Sequence, residues 1–294
     1  MAVSPAPTAQ ANLPPPMNTT NKPVAKKNSS IPKPRLRLHA QALRHPGTKA
    51  FLSNVPDISE PFDTALGVIV EHLYTSHNQQ GGPSFSPSIP PTRSVTFILR
   101  DFQGLAHTNG TELDDDHKEI HMSLGWLQNT GSRPSTRREI LGVLTHELVH
   151  CYQHSSPRGS GKPGAPGGLI EGIADFIRLK AGFAPAHWKR PQTSRERAEK
   201  WDQGYEHTAF FLAWLEDVRF GKGAVGLVND RLGTAGYAAI NGVGFWKGIF
   251  GKTVHELWEE YGQWLDAGQD QGQGQRQGGQ GGQKKNWMEK IVHR

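Results

Sequence analysis

The stretch Thr145-His146-Glu147-Leu148-Val149-His150 places two imidazoles four residues apart, with a carboxylate between them. On an α-helix four residues advance roughly 6 Å and complete about one turn. His146 and His150 therefore project side by side from one face, which suits one tetrahedral zinc. Glu147 then stands where it can take a proton from a water whose pKa such a metal lowers to about 7. The pattern is short, and any amphipathic helix can carry His and Glu on a solvated face. Here the flanks argue against that. Ile140, Leu141, Val143, Leu144, Leu148, Val149 and Cys151 make the helix apolar on most sides, and buried imidazoles and carboxylates need partners.

A catalytic zinc takes three protein ligands and keeps one position open, and three residues compete for the third place. His154 lies roughly 12 Å along the helix axis from His146 and some 80° around it, too far to share one ion. Glu171 and Asp175 lie four apart on what reads as the next helix, after a loop long enough to bring that helix alongside. Ile170, Ile173, Ala174 and Phe176 give them apolar neighbours, which weighs against both facing water. Glu171 is the strongest candidate. Asp175 would accept a hydrogen bond from the outer nitrogen of a ligand histidine and fix its tautomer; the exchange of these two roles stays open.

The elements that must position these groups follow from periodicity. Thr136 and Glu139 fit a capping box at the start of the motif helix, which should run to about His154 before Pro157 stops it. Upstream, Phe62, Leu66, Ile69, Val70 and Leu73 give helical spacing over residues 61–74. The run Ser94-Val95-Thr96-Phe97-Ile98-Leu99 has the β-branched and aromatic make-up of a strand, and Glu119-Ile120-His121-Met122-Ser123-Leu124 alternates like a second. Between them residues 104–116 are polar and acidic and read as loop. Further helices are expected over 169–181 with Gly182 as the C′ residue, from about 202 to 215, and over 253–265. Strands first and helices afterwards make an α+β domain, a small mostly antiparallel sheet followed by a helical part that carries the motif.

The chain has 294 residues and a formal charge of +6. Residues 1–50, rich in Pro, Ala, Asn, Ser and Lys, read as a disordered basic arm, residues 51–267 as the globular domain, and residues 268–294 as a low-complexity Gln/Gly tail. Much of the positive charge lies in the arm (Lys26, Lys27, Arg35) and the tail (Lys284, Lys285). No nucleic-acid motif accompanies it, so solvated ends are expected rather than a specific nucleic-acid partner. Cys151 is the single cysteine, which excludes an intramolecular disulfide. There is no signal-peptide h-region and no apolar run long enough to span a membrane. Read this way the chain is cytoplasmic and monomeric.

The motif residues His146-Glu147-x-x-His150 are followed by Pro166-Gly167-Gly168-Leu169-Ile170-Glu171-Gly172-Ile173-Ala174-Asp175-Phe176, His187-Trp188 and Trp201-Asp202-Gln203-Gly204-Tyr205. Together they resemble the plant basic secretory protein family of zincin-like peptidases. Glu119-Ile120-His121 and Gly251-Lys252-Thr253-Val254 extend the likeness over residues 55–265. The pairing of H-E-x-x-H with E-x-x-x-D is also similar to thermolysin-like metallopeptidases, the gluzincins. The resemblance implies a zincin-like fold and a zinc cofactor, with His146, His150 and Glu171 as ligands, Glu147 as general base and Asp175 supporting a ligand histidine. It implies that the strand around Ile120 is the sheet edge above the motif helix, where an extended peptide adds as another strand. It also implies secretion, which the N-terminus does not support.

The expected activity is zinc-dependent hydrolysis of peptide bonds in a peptide or protein substrate, with Tyr205 or His207 as the donor to the developing oxyanion. The alternative is a non-catalytic, zinc-containing, defence-type binding protein of the same fold. Glu147 argues against it, because a purely structural site needs no base between its ligands. A thiol hydrolase built on Cys151 and His154 is the third reading, opposed by the apolar surroundings of Cys151.

Overall fold

A computed structural model of the chain describes residues 33–77, 84–131, 133–157, 159, 161, 164–238 and 243–274. The chain divides into two units, Met1–Ile31 and Pro32–Arg294; the first, and with it most of the expected arm, lies outside the described residues. So does the expected tail beyond residue 274. The element order is β1 (Arg35–Ala40), α1 (Pro46–Asn54), α2 (Ser59–Leu73), β2 (Ser94–Arg100), β3 (Ala106–Gly110) and β4 (His117–Ser123). Helices α3 (Leu124–Thr130), α4 (Thr136–Tyr152), α5 (Gly167–Lys180), α6 (Tyr205–Trp214), α7 (Ala224–Thr234), α8 (Phe245–Phe250) and α9 (Val254–Gly274) follow, with a π-helical turn (Leu215–Arg219) closing α6. This is an α+β architecture. Among the described residues no helix is long and apolar enough to cross a membrane.

The sheet has the order β1-β2-β4-β3, and it corrects two expectations. It is mostly parallel rather than mostly antiparallel: β1 pairs with β2 and β2 with β4 in parallel, and only β3 runs antiparallel to β4. The cause is the crossover. Two helices, α1 and α2, separate β1 from β2, enough chain to return in the same direction. From β2 the chain reverses into β3 and again into β4, and two reversals restore the parallel sense. The sheet edge beside the motif helix is therefore β3, in the stretch read as loop, and β4 around Ile120 lies inside the sheet. In addition β1 and most of α1 fall within the stretch read as a disordered arm, so its described part, from residue 33 on, carries regular structure.

Helix α4 carries the motif and is buried almost throughout. Ile140, Leu148 and Val149 have no exposed surface, and each such side chain contributes at most about 1.5–3 kcal/mol by leaving water. The expected capping box does not form. Ser135 is the N-cap and its hydroxyl meets Glu139 Oε1 at 2.7 Å, whereas Thr136 donates to the carbonyls of Thr130 and Gly131. At the other end the last carbonyls need partners from outside the helix. The Thr92 hydroxyl meets Cys151 O at 3.0 Å, and the Tyr74 hydroxyl meets Tyr152 O.

Helix α5 packs on one side against α4 and on the other against α6. It ends as expected on Gly182, at φ 78°, with Phe183 N–H on Arg178 O and Gly182 N–H on Leu179 O. Gly172 permits the approach of α6: a Cβ there would stand 2.3 Å from Thr208 Cγ2.

Candidate active site

Three donor atoms converge where α4 meets α5. The Nε2 atoms of His146 and His150 are 3.2 Å apart, and Glu171 Oε2 lies 3.1 Å from the first and 3.8 Å from the second. Atoms bound at about 2.0–2.1 Å to one tetrahedral zinc stand roughly 3.3–3.4 Å from one another. The donor set fits such an ion in both chemistry and spacing. Among the described residues it is the one group of three or more His, Cys, Asp or Glu that could hold a metal.

Behind the ring of His146, Asp175 Oδ1 lies 2.7 Å from Nδ1. Asp175 is 2 % exposed and sits on the far side of the imidazole from Glu171, so it orients the ring while Glu171 faces the donor cluster. Its other neighbour is the Arg178 guanidinium, at 3.9 Å. The second histidine has a partner that the sequence reading missed. The Gln153 side-chain amide meets His150 Nδ1 at 2.7 Å, and its Oε1 is buried with no hydrogen-bond partner among the described residues. Turned end for end, the amide would let Oε1 accept the Nδ1–H of His150 and leave Nε2 of that ring free for a metal. Gln153 is the extended C-cap residue just beyond α4, so helical spacing from His150 gave no signal for it.

The charges in this cluster are strongly linked. Burial pulls the His146 imidazole down, but hydrogen bonds to Asp175 and Glu171 and the nearby carboxylate charges outweigh it and lift it to about 9. His150 is pushed down to about 4, by burial and then by the charge of His146. The hydrogen bond from His146 holds the Glu171 carboxyl below its usual range against the cost of burial. Burial raises the Glu147 carboxyl, opposed by the charge of His146 and by a hydrogen bond from Thr108.

That Thr108 bond comes from β3, the edge strand, and nothing in the sequence pointed to it. Leu105, Ala106, His107 and Thr108 form one wall of a cleft of about 1090 Å³ that also contains His146, Glu147, His150 and Glu171. Tyr205 lines the same cleft. Its ring stacks on His146 with centroids 6.3 Å apart and planes at 13°. It has φ 49°, the one positive φ outside glycine among the described residues, a conformation that costs on the order of 1–3 kcal/mol and collects at functional sites. The carboxylate of Glu171, then burial, raises its phenol, which keeps it a neutral donor.

The remaining candidates lie elsewhere. His207 is absent from the cleft wall and stands 3.9 Å from Glu206. His154 is turned away: its Nε2 lies 3.0 Å from Ser88 O and its backbone N–H meets Asn229 Oδ1. Cys151 is buried with its thiol pushed far up by burial; the thiol is turned to Glu147 O at 3.8 Å, and among the described residues it pairs with no histidine.

The family described as BSP, peptidase of plants and bacteria, matches residues 31–261 of the chain. No curated protein and no solved structure matches it.

Proposed function

The chain belongs to this family of peptidases of plants and bacteria, and from that premise we propose that it is a zinc-dependent endopeptidase acting on peptides or proteins. The observation that carries the reading is the convergence of His146 Nε2, His150 Nε2 and Glu171 Oε2 within 3.1–3.8 Å of one another at the floor of the cleft. Bound there, zinc would act as a Lewis acid toward the scissile carbonyl and acidify a water beside it.

The chain's own residues do the rest. An extended peptide pairs with the free edge of β3, which brings one of its carbonyls over the cluster. Glu147, held by Thr108 Oγ1 at 2.7 Å, takes the proton of the attacking water and returns it to the leaving amine. The Tyr205 hydroxyl donates a hydrogen bond to the carbonyl oxygen as charge gathers on it. Asp175 keeps the Nδ1 proton of His146 on its own side of the ring, so that Nε2 presents a lone pair.

Metal content of the purified protein, measured by mass spectrometry on the parent, Glu171→Ala and Glu147→Gln, tests this directly. One zinc per chain is expected in the parent and in Glu147→Gln, and much less in Glu171→Ala. Hydrolysis of an unfolded protein substrate should be lost in both variants. A parent that takes up no zinc would overturn the reading, and a Glu147→Gln variant with parental activity would overturn the mechanism.

A further inference from the structure

The cleft continues past the donor cluster toward the N-terminal end of α4, where its walls change character. Arg138, Arg178, Phe183 and Trp188 line this part. The two guanidiniums are held in the same way. Arg138 donates to Gly182 O with its Cζ 5.8 Å from the Phe183 ring centroid. Arg178 Nε donates to Phe183 O at 3.2 Å with its Cζ 5.4 Å from the Trp188 ring centroid. Consecutive carbonyls beyond the end of α5 thus anchor both cations, and an aromatic ring steadies each plane. The packing is close: a Cβ on Gly142 would stand 2.8 Å from Arg178 Nε.

Each guanidinium carries five N–H donors, and one carbonyl engages only part of them. Arg138 is exposed and forms no ion pair among the described residues. Among the described residues Arg178 has one ion-pair partner, Asp175, at 3.9 Å and already engaged by His146. The nearby Glu139 is occupied by Ser135 and Arg133. This end of the cleft therefore presents two fixed, incompletely satisfied cations.

Strand direction places them relative to the scissile bond. Ala106 packs against the core cluster that holds Ile140 and Val143, in the N-terminal half of α4, while Thr108 bonds Glu147 further along it, so β3 and α4 run the same way. Antiparallel pairing is the slightly more stable mode per residue, and a peptide added to β3 in that sense points its C-terminus toward Ala106 and the two arginines. From His146 to Arg138 is about 12 Å along the helix, which an extended peptide covers in three to four residues at about 3.3 Å each. Resting on the peptidase reading above, we infer that the enzyme selects substrates with a carboxylate two to four residues C-terminal to the scissile bond, bound by Arg138 and Arg178. The carboxylate is either an acidic side chain or the free C-terminus, since a guanidinium pairs with both alike.

The test uses the zinc-loaded full chain and matched peptides carrying Glu or Lys at each position on either side of one cleavage site, each with a free and an amidated C-terminus. The readout is the Glu-to-Lys ratio of kcat/KM, taken within each protein so that altered folding cancels. In the parent the ratio should be about tenfold at the downstream positions and should invert in Arg138→Glu. An amidated end that removes the preference assigns the carboxylate to the terminus, and one that leaves it assigns a side chain. A ratio near one, a preference upstream, or a preference unchanged in Arg138→Glu overturns the inference. If no peptide is cleaved, the peptidase reading fails. The same ratio, measured as binding affinity to Glu147→Gln by calorimetry, then decides the carboxylate preference on its own.

Discussion

The hydroxyl of Thr108 stands 2.7 Å from Glu147 Oε2 and 2.9 Å from Glu147 O, so the edge strand holds the proposed general base from 39 residues away. Burial raises the Glu147 carboxyl and this hydrogen bond opposes it. Thr108→Val removes the bond and keeps the shape. A base must be ionised to accept a proton, so the acid limb of the rate profile should move to higher pH, with kcat/KM at neutral pH falling about tenfold. Zinc content should stay at the parental level. A variant whose acid limb does not move would reduce Thr108 to a packing residue.

Asp175 and Glu171 share His146 but act on opposite nitrogens, at 2.7 and 3.1 Å. Their losses should therefore differ in kind. Asp175→Asn leaves three donors in place and weakens the orientation of one, which lowers zinc affinity about 10- to 100-fold. Glu171→Ala removes a donor and should lose the metal to a chelator that the parent resists. Competition titrations on both variants separate the roles, and an Asp175→Asn protein stripped more easily than Glu171→Ala would reverse them.

Protons compete with the metal for this cluster. A ligand imidazole binds only when its nitrogen is free, and in the metal-free chain the carboxylates, against burial, hold His146 protonated up to about 9. Apparent zinc affinity should thus fall about tenfold for each pH unit below that value. The sign is opposite for the metal-free fold. A folded pKa above the ordinary 6.5 contributes stability that is fully present below 6.5 and is lost as pH rises through about 9. Melting curves with and without zinc at pH 6.5 and pH 9 should show a zinc-induced gain that is larger at pH 9. A gain independent of pH would mean that His146 carries no proton to displace.

What was legible in the sequence was local. His146 and His150, and then Glu171 and Asp175, lie four residues apart, so spacing alone put each pair on one helix face. Thr108 was hidden because its partner lies across the fold and its strand is made of His, Thr and Asn rather than the apolar alternation that marks strands. For β1 the alternation is present, Arg35-Leu36-Arg37-Leu38, but Leu38 is 42 % exposed and the charges resembled those of the arm. The family match, beginning at residue 31, agrees with its place in the domain. Parallel pairing is hidden for the same reasons, since the β1–β2 pair needs β1 and the parallel sense of β2 and β4 needs the polar β3 between them. The capping box is absent because tertiary contacts, the carbonyls of Thr130 and Gly131, take the Thr136 hydroxyl, while Ser135 at the N-cap position spends its own on the Glu139 carboxylate.

The position of Tyr205 depends on how closely α6 lies on α5, and that distance is set at Gly172. A methyl there would come 2.3 Å from Thr208 Cγ2, and Thr208 in turn holds the turn before Tyr205, accepting from Gly204 N–H at 3.0 Å and meeting Trp201 O at 2.9 Å. Neither helix can yield without moving the proposed oxyanion donor away from His146. Gly172→Ala should therefore destabilise the fold by about 1–3 kcal/mol, as overpacking does, lowering the melting temperature by roughly 2–4 °C per kcal/mol for a domain of this size. Activity should fall further than stability explains: measured well below the melting temperature, kcat should drop with KM and zinc content near the parental values, because the donor acts only as charge develops. Parental kcat in a destabilised Gly172→Ala would show that Tyr205 takes no part in the chemistry.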